Sequence, residues 1–361
     1  GCRKPIENPA GFQQVYYNRF FSFFTTRFAS GSFFDRRSGS LFPCHLQTII
    51  LLATTVLSVG HYLFGNNHYL ELLAHFRFEY LCLQIACLLG FIMLWRWKLA
   101  LLTLLFLIPN AMLIFPYYLP QSRILSVGDA HIKIMHINVL GINRDYSAVA
   151  QAIQENKPEI LVLEEYNERW RVALTKTGIL KQFPYNYVVQ YGNDGLYSRI
   201  PLKRVYSEYL QPSKDPTTIA KLNLNGNPVT MLVVHPRPPV WPSNALRNRN
   251  MFAKWTQDFK QYGQNVILVG DLNNTPWSSS FQNLLKQTGL RDSQLGFGIQ
   301  PSWPIRGSRK ASKELKLPFA LLPIDHVLVS PNFVVLDRKL GPDVGSDHLP
   351  VIVELGLKRD E

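Results

Sequence analysis

Cysteine is nearly missing from this chain, and the four present, Cys2, Cys44, Cys82 and Cys87, all fall near its beginning. A disulfide framework or a thiolate zinc site is thereby excluded from the rest, which suits an oxidising compartment without requiring one. Acidic residues are scarce in the same early part: residues 1–119 hold 4 of the 25 Asp and Glu and 9 of the 38 Lys and Arg. The whole chain carries a net charge of +13. Such a balance suits anionic partners, phosphodiesters and acidic lipid surfaces among them, but selects none of them. The chain opens on Gly1 instead of Met, and a start further upstream is expected.

What the early part has in excess is Leu, Ile and Phe. Apolar runs at 46–64, 78–94 and 99–119 each approach the roughly 20 residues that cross a bilayer. Trp95, Trp97, Tyr117 and Tyr118 stand at their ends, where amphipathic rings favour the headgroup layer. The second run is the shortest and is edged by Arg77 and Glu79, so a re-entrant or interfacial segment is its alternative. Arg19, Arg27, Arg36 and Arg37 precede the first run, and Arg96 with Lys98 joins the second to the third. Basic residues stay in the cytoplasm, which after three crossings leaves the remainder on the periplasmic or extracellular side. The expected organisation is a cytoplasmic segment at 1–45, a multi-pass membrane region of about three helices at 46–119, and a catalytic domain at 120–361.

From residue 131 the pattern changes to alternating strands and helices. HIKIMHINV reads as a strand, 145–156 as a helix with Val149, Ala152 and Ile153 on one face, and ILVLEE as a second, buried strand. Further strands are predicted at 187–190, 195–198, 218–224, 229–235, 266–270, 324–330 and 348–355. A long helix is predicted over 243–262 with Ser243 as N-cap, and a shorter one over 278–288. Strand–helix alternation is the signature of a layered α/β fold.

Polar residues sit where these strands end. Asn138, Glu165, His235 and Asp271 with Asn273 follow strands, Asp325 opens one, and Asp347 with His348 stands at the entry to the last. Carboxylates with amides and no thiol make a hard, oxygen-rich set that prefers Mg²⁺ or Mn²⁺. Each residue alone has a plainer reading, such as a turn Asn or a solvated Asp–His pair.

In order, IMHINV, ILVLEE, LYSRIP, LVVHPRPP, VGDLNNTPW, IDHVLVS and GSDHLPV resemble the motifs of the endonuclease/exonuclease/phosphatase superfamily over residues 131–355. The resemblance implies a four-layered α/β sandwich, preceded here by the helical membrane region, and metal-dependent hydrolysis of a phosphoester. It implies Glu165, Asn138 and Asp347 at the metal, Asp271 orienting water, and Asn273 and His235 on the phosphate. His348 becomes the catalytic histidine, either taking a proton from water or stabilising the pentavalent phosphorus, with Asp325 holding its tautomer. Arg237 lines the substrate wall, and Ser198 and Arg199 are structural. Glu164 stands where the family has Gln, facing either the site or the opposite side of its strand, and His326 stands where Tyr is frequent.

Arg306, Arg309, Lys310, Lys313 and Lys316 form a basic loop suited to phosphates or to solvent. The expected substrate is a phosphoester of a lipid headgroup, a nucleic acid or a small molecule, at a membrane and with no obligate protein partner. A nonspecific nuclease and a catalytically silent membrane scaffold of the same fold are the alternatives.

Overall fold

A computed structural model describes residues 42–63, 67–121, 127–189, 193–210, 215–305 and 320–358. Most of the expected cytoplasmic segment and the basic loop from Arg306 to Lys316 lie outside these residues.

Among the described residues four helices come first: α1 (Phe42–Leu63), α2 (His68–Leu73), α3 (Arg77–Met93) and α4 (Trp97–Ile114). The three apolar runs fall on α1, α3 and α4. The sequence makes the second run the shortest, but α2 and a 3₁₀ turn lead directly into α3. Two helical stretches, His68–Met93 and Trp97–Tyr118, are long and apolar enough to cross a membrane, while Cys44–Gly60 is a shorter apolar helix. Polar side chains tie the bundle from inside. Asn110 of α4 donates to Ser58 of α1 at 2.9 Å and to Gln84 of α3 at 3.1 Å, and Arg77 reaches Asn110 at 3.5 Å. The outward faces of the same helices are apolar, with Ile49, Leu52, Leu89, Leu101 and Met112 all exposed.

The remainder is a four-layered α/β sandwich. One six-stranded sheet has the order β11 (Phe333–Leu340), β12 (Val351–Lys358), β1 (Val127–Asn138), β2 (Ile160–Glu164), β4 (Gly195–Ser198), β3 (Tyr185–Val188). The other runs β5 (Leu202–Leu210), β6 (Asp215–Leu224), β7 (Asn227–Val234), β8 (Val266–Asp271), β10 (Asp325–Val329), β9 (Arg291–Asp292). Helices α5 (Tyr146–Asn156) and α6 (Glu168–Thr177) cover the first sheet through Val149, Ile153 and Trp170. Helices α7 (Pro242–Asp258) and α8 (Ser279–Thr288) cover the second through Phe252, Trp255 and Phe281.

Period two decides what each strand buries. Ile132 and Ile134, Ile160 and Val162, Met231 and Val233, Ile267 and Val269, and Val327 and Val329 fill the space between the sheets. Each fully buried aliphatic side chain there contributes about 1.5–3 kcal/mol. Continuing the same alternation to the strand ends turns this core polar: His136 and Asn138, Glu164, His235, Asp271 and Asp325 occupy the next inner-face positions.

Some boundaries differ from the sequence reading. β12 begins at Val351, so His348 lies in the loop before it, and β3 covers Tyr185–Val188. Trp241, not Ser243, is the N-cap of α7, because Pro242 takes the first turn, where its fixed φ and missing N–H cost nothing. The last turn before Gly263 is 3₁₀. Ser278 caps α8 by accepting the Phe281 N–H.

Candidate active site

The register brings the polar strand ends side by side. Asn138 pairs with Glu164 across β1 and β2, and Asp271 pairs with Asp325 across β8 and β10. Asp271 is central. Its Oδ2 lies 3.3 Å from Asn138 Nδ2 and 3.7 Å from Nε2 of both His235 and His348. Its Oδ1 accepts the Asn273 N–H at 2.9 Å. Asn273 has φ +51° and donates its Nδ2 to the Pro236 carbonyl, so the loop after β8 is latched to the loop after β7.

Glu165 breaks the alternation. It follows the end of β2 with φ +53°, a left-handed turn that swings its carboxylate back over the site. There Oε1 accepts Asn138 Nδ2 at 3.3 Å and Oε2 accepts the Gly141 N–H at 2.9 Å. Glu164 keeps the alternation and points between the sheets, with Oε2 accepting the Asp271 N–H at 2.9 Å and lying 3.0 Å from His136 Nε2. Both neighbours therefore serve the same edge from different sides.

Each outer histidine has a carboxylate on Nδ1. His348 Nδ1 is 2.9 Å from Asp325, whose same oxygen accepts the Ser302 hydroxyl. His235 Nδ1 is 3.7 Å from Asp194. Burial works against charge on His348, but Asp325, Asp271 and Asp347 outweigh it and push its pKa up to about 10. His235 is likewise raised well above its ordinary value against burial, by Glu164, Asp194 and Asp271. Burial raises Asp271 and also Asp347, which the charge of Glu165 raises further. Asp325 goes the other way, because the His348 charge and hydrogen bond overcome its burial and bring it to about 2.

All the expected site residues but Arg237 gather around Asp271. Asp347 joins through His348, 4.0 Å away, and through Trp303, whose indole N–H donates to it at 3.2 Å. Arg237 is half exposed at the rim and its Nε donates to Asp215. Ser198 closes a local turn with Ile200, and His326 holds the Asn274 carbonyl at 2.9 Å. Sequence reasoning assigned no part to His136, Asp194 or Trp303. The inner-face alternation of β1 would have found His136, whereas Asp194 and Trp303 lie in loops with no local signal.

The set also fits a hard cation. Six buried or half-buried carboxylates, Glu164, Glu165, Asp194, Asp271, Asp325 and Asp347, crowd one edge, and Asp347 Oδ1 is buried yet accepts no hydrogen bond from the described residues. Ligand atoms of Glu164, His235 and Asp271, and of Asp271, Asp325 and His348, lie within 4.8 Å of one another. Glu164 and Asp325 are already engaged by histidines, while Glu165 accepts from Asn138 and Gly141, and the Asn138 amide oxygen accepts the Leu140 N–H at 3.1 Å beside them.

Two packed sheets that deliver acids, amides and histidines to one edge define the phosphoesterase type of α/β sandwich. The chain belongs to the endonuclease/exonuclease/phosphatase family, whose profile matches residues 135–348. Members are generally hydrolases of phosphoester bonds that use divalent metals. Among solved structures, TDP2 of D. rerio, complexed with a single strand DNA product, is similar with a TM-score of 0.51 at 16% identity, over 63% of this chain and 99% of that one. Truncated TDP2 of Caenorhabditis elegans gives 0.48 at 18%, over 63% and 98%. The endonuclease/exonuclease/phosphatase of Bacteroides vulgatus gives 0.49 at 14%, over 64% and 100%. No curated protein matches the chain.

Proposed function

We propose that this protein is a membrane-anchored, divalent-metal-dependent phosphoesterase. The observation that carries the reading is Asp271 Oδ2, held equidistant at 3.7 Å from two carboxylate-backed histidines and bridged by Asn138 to Glu165. Glu165, Asn138 and Asp347 are the residues that would hold Mg²⁺ or Mn²⁺. When bound, the cation neutralises phosphate oxygens and the charge that builds on them.

The protein's own groups then carry the proton traffic. Asp271, its carboxylate made basic by burial, orients a water and takes its proton as the water oxygen attacks phosphorus. His348, kept protonated by Asp325, stabilises charge on the equatorial oxygens, with Asn273 alongside. His235 gives its proton to the leaving oxygen as the P–O bond breaks, and Asp271 returns a proton across the 3.7 Å gap. Of the two roles open to the catalytic histidine, the Asp325 carboxylate 2.9 Å from its Nδ1 suits the charge-stabilising one.

Anchoring rests on the two long apolar helices. Arg96 and Lys98 lie at the turn between α3 and α4, and the positive-inside rule supports a cytoplasmic turn with the catalytic part on the other side. Purified full chain with Mg²⁺ or Mn²⁺ is expected to hydrolyse bis(p-nitrophenyl) phosphate, and Asp271→Asn, His348→Gln and Glu165→Gln each to lower kcat by roughly 100-fold or more. Equal turnover by wild type and His348→Gln would reject the mechanism, and no turnover by wild type would favour the scaffold reading.

A further inference from the structure

The helices do not hang from an arbitrary face of the sandwich. The stretch from α2 into α3 runs along the rim of the catalytic edge: His68 Nε2 lies 2.9 Å from the Val240 carbonyl, and Glu71 pairs with Arg249 at 3.3 Å. His75 Nδ1 lies 2.8 Å from the Thr275 hydroxyl, and the His75 carbonyl accepts the Trp277 indole N–H. Phe76 and Tyr80 pack with Trp303, Leu322 and Ile324, and Trp303 in turn donates to Asp347. At the other end of the hairpin the Tyr117 carbonyl accepts the N–H groups of Gly296 and Gly298. The α2–α3 arm of the hairpin therefore meets the sandwich at the loops that build the site, and the Tyr117 arm meets it at the loop that follows β9.

Depth follows from these contacts. Phe115 and Met112 are exposed apolar residues within about a turn or two of Tyr117, at roughly 5.4 Å per turn. Trp95 and Trp97 mark the far end of the same helices, α4 alone being about 27 Å long at 1.5 Å per residue. With a hydrocarbon core of about 30 Å and a total thickness of about 40–45 Å, each headgroup layer is only some 5–8 Å deep. In a chain anchored by these helices, the loops that meet the α2–α3 stretch would stand at the level of lipid phosphates.

We infer that the substrate is a phosphodiester lipid of the very bilayer the helices cross, cleaved with its phosphate still in the headgroup layer. The inference rests on the phosphoesterase reading. Water adds its oxygen to phosphorus, one P–O ester bond breaks, and the leaving oxygen takes a proton to become an alcohol. The half-exposed Arg237 guanidinium stands at the rim, paired with Asp215 at 3.0 Å.

The test uses full chain reconstituted with Mg²⁺ or Mn²⁺ into vesicles of phosphatidylcholine, phosphatidylglycerol or phosphatidylinositol. The matching water-soluble glycerophosphodiesters and a single-stranded oligonucleotide serve as competitors. At least one lipid is expected to be turned over with kcat/KM 100-fold or more above its soluble headgroup diester, and its rate to fall when the lipid is diluted with inert detergent at constant bulk concentration. Soluble diester or oligonucleotide hydrolysed as efficiently as lipid, without surface dilution, overturns the inference and leaves the phosphoesterase reading intact. No hydrolysis of any phosphoester overturns both.

Discussion

The ring of His75 and the hydroxyl of Thr275 lie 2.8 Å apart, joining a residue of the helical part to the loop that carries Asp271 and Asn273. Both side chains are buried, and the same ring nitrogen lies 3.3 Å from the Thr275 N–H. The catalytic loop after β8 is therefore braced from outside the sandwich, by a segment that lies before the matched family region.

His75→Ala leaves these Thr275 groups buried without this partner, at a cost of about 1–3 kcal/mol. Because Asn273 sits two residues away in the same loop, kcat is expected to fall about tenfold, in line with a loss near 1.4 kcal/mol, while KM changes little. Steady-state kinetics on the full chain in detergent check this, and His75→Asn, which retains an acceptor, should recover part of the loss. An unchanged kcat would mean that the brace is dispensable.

Two adjacent glutamates should behave oppositely. Glu164 works from between the sheets, accepting the Asp271 N–H and pairing with His136, and a Gln there can still accept that N–H. Glu164→Gln is expected to keep turnover within a few-fold. Glu165→Gln removes a carboxylate charge and should cost roughly 100-fold, with weaker Mn²⁺ binding in a calorimeter. Glu164→Ala leaves His136 with Asp325 alone, 3.5 Å from Nδ1, and leaves the buried Asp271 N–H without its acceptor, a loss of about 1–3 kcal/mol visible as a lowered Tm.

The pH dependence of stability has a definite sign. His348 holds its proton more tightly when folded, up to about 10 from an ordinary 6.5, so its contribution is whole below pH 6.5 and is lost as pH rises through 10. Metal-free protein in EDTA is expected to lose Tm across that window. His348→Gln should flatten the slope, and saturating Mg²⁺, by compensating the carboxylates, should shift the loss to lower pH. A slope indifferent to the substitution would remove His348 from the account.

Much of the site is legible in the sequence. The strand ends at Asn138, His235, Asp271 and Asp325 could be read because each continues an apolar alternation, and alternation is a property of the strand itself. Glu165 was legible as a strand-end acid, but its inward facing was not, since a left-handed turn, not periodicity, brings it to the site. β5, β11 and α6 escaped notice because their exposed faces mix charged residues into the pattern. The facing of Glu164 needed the second sheet, whose Asp271 N–H it accepts, and the brace from His75 joins residues 200 apart in sequence. No local pattern encodes such a contact.

The closest approach behind the site is at Gly270. A Cβ there would lie 1.9 Å from the Val234 carbonyl oxygen and 2.5 Å from Glu164 Oε1, at a φ of +153°. The first of these atoms is backbone and cannot rotate away, so β7 and β8 would have to part where His235 and Asp271 leave them. Gly270→Ala is therefore expected to abolish soluble folded protein or to lower Tm sharply, and any folded remainder should have lost turnover with Asp271 displaced. Gly289 supplies the control: it also has a left-handed φ, +73°, but nothing lies within 4 Å of its Cβ position. Gly289→Ala should carry only the conformational cost, about 1–2 kcal/mol, and keep full kcat. Similar Tm losses for the two variants would show that space behind Asp271 is not what demands glycine at Gly270.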